Sequence, residues 1–344
     1  MKILYVVQAT GNGHISRSRE VIKALKKNGH DVRTIFSGRD PSHLWDIDDF
    51  KPYDSFKGFT FHTAKGKIQY LATARDLSPI AFFKDIATYD AKDFDLAIVD
   101  FEPVTARIAK RNKLPSIGIG HQYAFIHPVP ISHWDPMALM VLKKFAPVEY
   151  PLGLHWHHFD QPILPPIIPH MSTNNVKNDP QKVLVYLPME DRDEVKDLFK
   201  PHKNFHFYYY TSVENPVDEE NIHLRPFSRE GFLNDLMDCG GVICNAGFEL
   251  ASEALHIGKK LLVRPLVGQI EQTSNALALT QLNLGTSMMY LEPDIVKNWL
   301  HKPSLKPLKY PDVAGTIAEW IGTGNWENYK ELADRLWSEI EPFI

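Results

Sequence analysis

The run GGVICNAGFELASEAL, from Gly240 to Leu255, limits what this chain can fold into more than any other stretch. Val242 to Cys244 reads as an apolar strand and Asn245-Ala246-Gly247 as a turn. Phe248, Leu250, Ala251, Ala254 and Leu255 then recur at near-helical spacing. A strand that passes through small residues into a helix makes an anion site. The first helical N–H groups lack partners within the helix, and the dipole favours negative charge there. Glu253 lies on the second helical turn, set back from that site, where a carboxylate can accept hydrogen bonds from both hydroxyls of a ribose. The pattern predicts phosphate at the turn and sugar one turn later, a nucleotide laid along a helix.

Lys259 to Val263 reads as the next strand and Arg264-Pro265-Leu266-Val267-Gly268 as a loop; Gln269, Glu271, Gln272 and Asn275-Ala276 open another helix. The run GFELASEALHIGKKLLVRPLVGQIEQTSNA resembles the donor-binding half of family 28 nucleotide-sugar glycosyltransferases, which include the N-acetylglucosaminyltransferase that makes lipid II and the plant galactolipid synthases. The likeness covers about forty residues with several fixed spacings, far more specific than a lone glycine-rich loop. It implies an α/β fold of two Rossmann-like domains facing across a cleft, the GT-B arrangement, with nucleotide on the C-terminal domain and acceptor on the N-terminal one. It implies that Glu253 holds the ribose and Gln272 faces the donor sugar. It places Asn245, Ala246, Gly247, Phe248, Gln269 and Glu271 around the donor, with Phe227 and Ser228 at the base. The sequence departs from the family at Leu250, where a phosphate-holding threonine is common, and at Ala246, which replaces Gly or Ser. Pro188-Met189-Glu190-Asp191 stands where relatives carry glycines and serine that help bind the diphosphate.

The chain begins with a βαβ unit: strand Lys2 to Val7, a glycine-rich loop Gln8 to His14, helix Ile15 to Lys27 ended by Gly29, and strand Val32 to Phe36. A dinucleotide site competes for this pattern and fits poorly. Ser16 stands at the third glycine position, and no acid ends the second strand. Gly11, Asn12, Gly13 and His14 match instead the N-terminal loop of the family 28 enzymes, a loop for acceptor or phosphate. At a helix start the dipole favours a neutral imidazole, so His14 is the candidate base for an attacking hydroxyl; a structural histidine bonded to backbone is the plain alternative. Phe94 to Val99 reads as a strand ending in Asp100-Phe101-Glu102-Pro103. Acids at that edge of an open α/β sheet lie at the usual ligand position, which makes Asp100 and Glu102 catalytic candidates against a solvated helix start. Strand Ser116 to Gly120 leads to His121 and Gln122, a polar turn like one that touches acceptor in the lipid II enzyme.

Residues 40 to 93 read as loops, a short strand near Ser55–Thr63 and a helix about Lys67–Asp76. Between Pro128 and Pro169, His155-Trp156-His157-His158 suggests a metal site, but no third ligand has suitable spacing, and surface or acceptor-cleft histidines suit it better. Met137, Leu139, Met140, Val141 and Leu142 read as a core helix or, more sharply, a membrane-facing patch. Pro162 to Pro169 looks like the crossing between domains and Thr173 to Pro180 like a linker. The expected division is 1–170 for the acceptor domain, 171–325 for the donor domain, and 326–344 for a helix that returns to the first.

At 344 residues the chain has room for two domains, and its net charge of −4 disfavours a nucleic acid partner. Two cysteines, Cys239 and Cys244, suit a reducing cytosol. The start is too short for a signal peptide, and no run approaches the roughly 18 apolar residues of a membrane span. The expected location is the cytoplasm, with peripheral contact at the inner membrane face as the extension. The expected reaction is inverting transfer of a hexose or N-acetylhexosamine from a UDP-sugar donor to a hydroxyl of a glycan or lipid-linked acceptor. No cofactor and no metal are expected, because helix N-termini and amides can hold the leaving diphosphate, with Arg264 or Arg229 as an added cation. The rivals are a UDP-sugar 2-epimerase and a degenerate nucleotide-sugar-binding protein without turnover.

Overall fold

The computed structural model describes residues 1–44, 46–58, 63–64, 67–68, 79–132, 140, 142–171 and 178–341. The first part runs β1 (Lys2–Gln8), α1 (Asn12–Lys27), β2 (Asp31–Ser37), β3 (Tyr53–Phe56), the hairpin of β4 (Thr63–Ala64) and β5 (Lys67–Ile68), α2 (Pro79–Thr88), β6 (Leu96–Asp100), α3 (Pro103–Asn112), β7 (Ser116–Gly120) and β8 (Tyr150–Gly153). Every residue of β1 after Lys2, and all of β6 and β7, are buried, which marks strands covered on both faces. They form a six-stranded parallel sheet in the order β3-β2-β1-β6-β7-β8.

The second part follows the same plan with β9 (Asp179–Tyr186), α4 (Arg192–Phe199), β10 (His206–Tyr210), β11 (Val217–Glu219), β12 (Ile222–Arg225), α5 (Arg229–Asp238), β13 (Cys239–Asn245), α6 (Phe248–His256), β14 (Lys260–Arg264), α7 (Ile270–Gln281), β15 (Thr286–Ser287) and α8 (Pro293–Leu300). Its seven-stranded sheet has the order β11-β12-β10-β9-β13-β14-β15, and only the edge strand β11 is antiparallel. Two more helices, α9 (Val313–Gly322) and α10 (Tyr329–Ser338), return to the first sheet's side. α9 packs along α1, and Trp337 of α10 donates its indole N–H to the Ile163 carbonyl at 2.6 Å.

Register sets the site. Val7 pairs with Asp100 and Val99 with Gly118, so the ends of β1, β6 and β7 share one edge of the first sheet. Cys244 pairs with Tyr186 and Asn245 with Arg264, so β9, β13 and β14 end together on the second. The helices that leave these edges start in two ways, and α7 after β14 has no side-chain cap. Side chains cap α3, α4, α5 and α9, whereas α1 and α6 start at Gly11 and Gly247 with no side-chain cap.

The irregular stretches depart most from the sequence reading. Lys67 and Ile68 pair antiparallel with Thr63 and Ala64, so the expected helix does not begin there; residues 69–76 lie outside the described residues. The strand expected near Ser55–Thr63 occupies Tyr53–Phe56. The proline-rich stretch contributes β8, which tolerates Pro151 because it is an edge strand needing one ladder only. Met137, Leu139 and Val141 lie outside the described residues, while Met140 is 51% exposed. Of the expected linker, 173–177 lie outside them too, and Asp179 and Pro180 already belong to β9.

Candidate functional site

The chain leaves β1 at Gln8 and enters α1 at Asn12, which brings His14 against the end of β6. His14 Nδ1 lies 3.0 Å from Asp100 Oδ2. Arg17, one turn on, sets Nη2 at 2.5 Å from Asp100 Oδ1 and 3.0 Å from His14 Nδ1, and its Nη1 pairs with Glu249 of α6. The Ser18 hydroxyl donates to Asp100 Oδ2 at 3.2 Å. Burial pushes the Asp100 carboxyl up, but Arg17 and His14 outweigh it and hold it below its ordinary value. Burial likewise opposes the Arg17 charge, and Asp100 and Glu249 more than restore it. In the tautomer that donates Nδ1–H to an ionised Asp100, the basic lone pair of His14 lies on Nε2, as in an oriented general base, whereas the other tautomer accepts from Arg17 at Nδ1.

Glu102 stands apart from this cluster. It is fully buried and caps α3, accepting Val104 N–H at 2.9 Å, Thr105 N–H at 2.7 Å and the Ser37 hydroxyl at 2.9 Å. Burial pushes its pKa up while those bonds oppose the shift. Its oxygens cap α3 inside the fold, so the helix start is buried rather than solvated, and the candidate base or acceptor contact has its oxygens engaged by the fold.

On the facing edge, Ala246 N–H donates to Arg264 O at 3.2 Å, and Gly247 has extended backbone beside open space, since a Cβ there would meet nothing within 4 Å. Asn245 Nδ2 donates to Glu190 Oε1 at 3.2 Å and to Arg264 O at 3.1 Å. Gln272 Oε1 accepts Leu266 N–H at 2.9 Å and so orders the loop after β14. Gln269 precedes α7, and its buried Oε1 has no hydrogen-bond partner among the described residues. Asn275 ties α7 to the turn by donating to Ala246 O at 3.0 Å. Ser228 caps α5 through Gly231 N–H, and Phe227 meets Tyr186 edge-on. The Tyr186 hydroxyl accepts from Asn12 Nδ2 at 3.2 Å across the domain boundary.

Other expected ligand residues hold the domains together. Phe248 stacks on His121 with ring centres 4.1 Å apart and planes 4° apart, and also packs on Trp156. His121 is fully buried, with Nδ1 2.8 Å from Leu154 O and Nε2 2.6 Å from Asn275 Oδ1; burial lowers its pKa. Gln122 donates to both oxygens of Glu271 at 3.2 Å. Gly13 lies under Glu249, whose Cγ would be 2.7 Å from a Cβ, so α1 and α6 meet this closely only over a glycine. Glu253 is 7% exposed, covered by α1, with the Ser16 hydroxyl 3.4 Å from Oε1. Burial, then Glu249, pushes it up to about 8. Burial pushes Glu249 up to about 6 against the pull of Arg17. His155 is buried and accepts Trp156 N–H, while His157 and His158 stack on each other, and among the described residues no group of acids, histidines and cysteines is arranged to hold a metal.

Arg17, Glu249 and Glu190 belong to the site and were not singled out as site residues from sequence. Arg17 falls in the polar string Ser16-Arg17-Ser18-Arg19, and its partners Asp100 and Glu249 lie 83 and 232 residues away in the chain. Glu190 carried a signal, an acid in the loop where relatives have small residues, but its partner Arg264 lies on another strand.

Residues 1–303 match Glycosyl transferase family 1. No curated protein sequence matches the chain. Among solved structures it is similar to the glycotransferase of kitacinnamycin, at 15% identity over 97% of this chain and 98% of that one, with a TM-score of 0.58. It is similar to TcCGT1 in complex with UDP, at 13% identity, covering 96% and 94%, with a TM-score of 0.56. It is also similar to a putative UDP-N-acetylglucosamine 2-epimerase from Listeria monocytogenes, at 12% identity, covering 93% and 94%, with a TM-score of 0.52. These likenesses show the two-domain GT-B fold.

Proposed function

The chain belongs to glycosyl transferase family 1, and from that premise we propose that it moves a hexose or N-acetylhexosamine from a UDP-sugar to an acceptor hydroxyl with inversion. One observation carries this reading. An oriented His14–Asp100 pair, 3.0 Å apart, ends one sheet, and Arg17 links it directly to α6, whose uncapped start ends the other. The acceptor hydroxyl gives its proton to His14 Nε2 as its oxygen bonds to the anomeric carbon. The bond from that carbon to the diphosphate breaks, and the diphosphate leaves with the electron pair. The N–H groups at the start of α6 and the Arg264 guanidinium receive that charge, so no divalent metal is needed. We assign Glu253, on the second turn of α6, to the ribose hydroxyls. The UDP of the TcCGT1 complex supports uridine, and the Gly247-to-Ala276 run supports the finer likeness to the lipid II enzyme, with a glycan or lipid-linked hydroxyl as acceptor.

The likeness to the Listeria protein favours 2-epimerisation as the second reading. One experiment separates them: UDP-sugars are incubated with and without glycan and lipid-linked acceptors, and free UDP and the 2-epimer are measured. Transfer predicts UDP release that requires acceptor. A 2-epimer formed without acceptor would replace the transferase reading, and UDP-sugar binding with neither product would leave a binding protein. Among the described residues no helix is long and apolar enough to cross a membrane. Vesicle co-sedimentation tests the proposed peripheral contact.

A further inference from the structure

We propose that Glu190 is a built-in occupant of the anion position on Arg264, and that a nucleoside diphosphate binds by displacing it. The inference rests on reading the second domain as the nucleotide site. Strand order β9-β13-β14 brings Glu190, Asn245 and Arg264 to one carboxyl edge. There Glu190 Oε1 accepts from Arg264 Nη1 at 2.6 Å and from Asn245 Nδ2 at 3.2 Å. The pair is nearly sealed, with side-chain exposures of 7% for Arg264 and 4% for Glu190. Yet Arg264 Nε and Asn245 Oδ1 are buried with no hydrogen-bond partner among the described residues. Buried polar atoms are nearly always satisfied, so two orphans in one cluster mark a place that accommodates another polar group.

Two more features point the same way. The start of α6, one residue pair beyond Asn245, has no side-chain cap and borders open space at Gly247. A guanidinium fork binds carboxylate and phosphate with the same geometry, so the two anions compete for Arg264. Burial pushes the Glu190 carboxyl above its ordinary value, and Arg264 and Asn245 only partly oppose it, so Arg264 is the one cation that offsets this buried acid. The consequence is selection. A ligand with a full diphosphate displaces Glu190, and a bare nucleoside has nothing to displace it with. A purely structural pair makes the opposite forecast, because removing Glu190 would then leave a buried unpaired Arg264 and a disordered loop.

The test is calorimetric binding of UDP, inorganic pyrophosphate and uridine to the full chain and to Glu190→Gln, with Glu190→Ala as the second variant should the first fail to fold. The expected result is UDP and pyrophosphate binding tighter by on the order of tenfold in the variant, with uridine unchanged. A Glu190→Ala, Arg264→Met double variant should bind uridine like the parent and lose the gain for pyrophosphate. Equal or weaker UDP and pyrophosphate binding in both single variants overturns the proposal. A parent chain that binds neither UDP nor uridine overturns the nucleotide reading instead, and the pyrophosphate comparison then judges Glu190 alone.

Discussion

The two domains offer the same local unit, a parallel strand turning through glycine into an uncapped helix, and load it with opposite charge. α1 carries the cation Arg17 one turn beyond His14, and the first turns of α6 carry Glu249 and Glu253. Cations sit badly at a helix start, where the dipole is positive, and acids sit well. The first domain keeps its cation there because Asp100 is buried beside it and Glu249 reaches across. The contrast teaches how one architecture divides a reaction. In the proposed reaction the side chains of α1 handle the proton and its backbone only positions them. On α6 the proposed anion would meet backbone N–H groups and the open space at Gly247, while the acids are turned toward α1.

The largest expected effect breaks the first half of that division. His14→Ala should cut turnover by about 10²–10⁴-fold while donor affinity holds, because the proposed donor site lies on the other domain. Turnover and donor binding measured on one preparation decide it. Near-normal turnover removes His14 from the chemistry, and lost donor binding in a folded variant makes it a phosphate contact.

Arg17→Met attacks the bridge between the halves. It strands Asp100 and Glu249 as buried carboxylates without their shared cation, at a cost of roughly 3–5 kcal/mol in urea unfolding. Adding Glu249→Gln should recover part of the loss. Unaltered stability in the single variant would mean that the bridge does not hold the domains.

Glu253 sharpens the second half through two readouts. Glu253→Ala should weaken UDP binding by about 1.5–3 kcal/mol, and unchanged affinity would refute the ribose assignment. The same carboxyl is pushed from its ordinary 4.5 up to about 8 in the folded chain. The unfolded chain releases that proton near its ordinary value and the folded chain keeps it, so stability falls as pH rises between the two. Glu253→Gln should therefore flatten the pH dependence and gain on the order of 4 kcal/mol at pH 8. A parallel loss in both proteins would place the shift elsewhere. The smallest effect is a null one: EDTA should leave transfer unchanged. Activity lost to EDTA and restored by magnesium or manganese would defeat the account of α6 amides and Arg264 as the charge acceptor.

Much of this was legible along the chain. Both βα units and the alternation that makes two parallel sheets follow from local signals: apolar strand runs, small-residue turns and helical periodicity within about twenty residues. The GFELASEAL run led to the fold because its spacing is local and specific. The antiparallel pairing of Thr63–Ala64 with Lys67–Ile68, the edge strand at Tyr150 and the cap role of Glu102 were not legible, because each depends on a neighbour that the local pattern does not name.

The division between sequence and tertiary structure follows from range. The sequence alone determined the two-domain α/β class and the glycine turns, and it brought His14, Asp100 and Glu253 forward as candidates, since these rest on residue type and short spacing. Only the folded chain decided that Arg17 joins Asp100 to Glu249, that Phe248 stacks on His121, that α1 covers Glu253, and that Glu190 holds Arg264. Buried charges take their partners from whichever element packs against them, and that choice is made by the burial of both sheets, across distances that no local pattern spans.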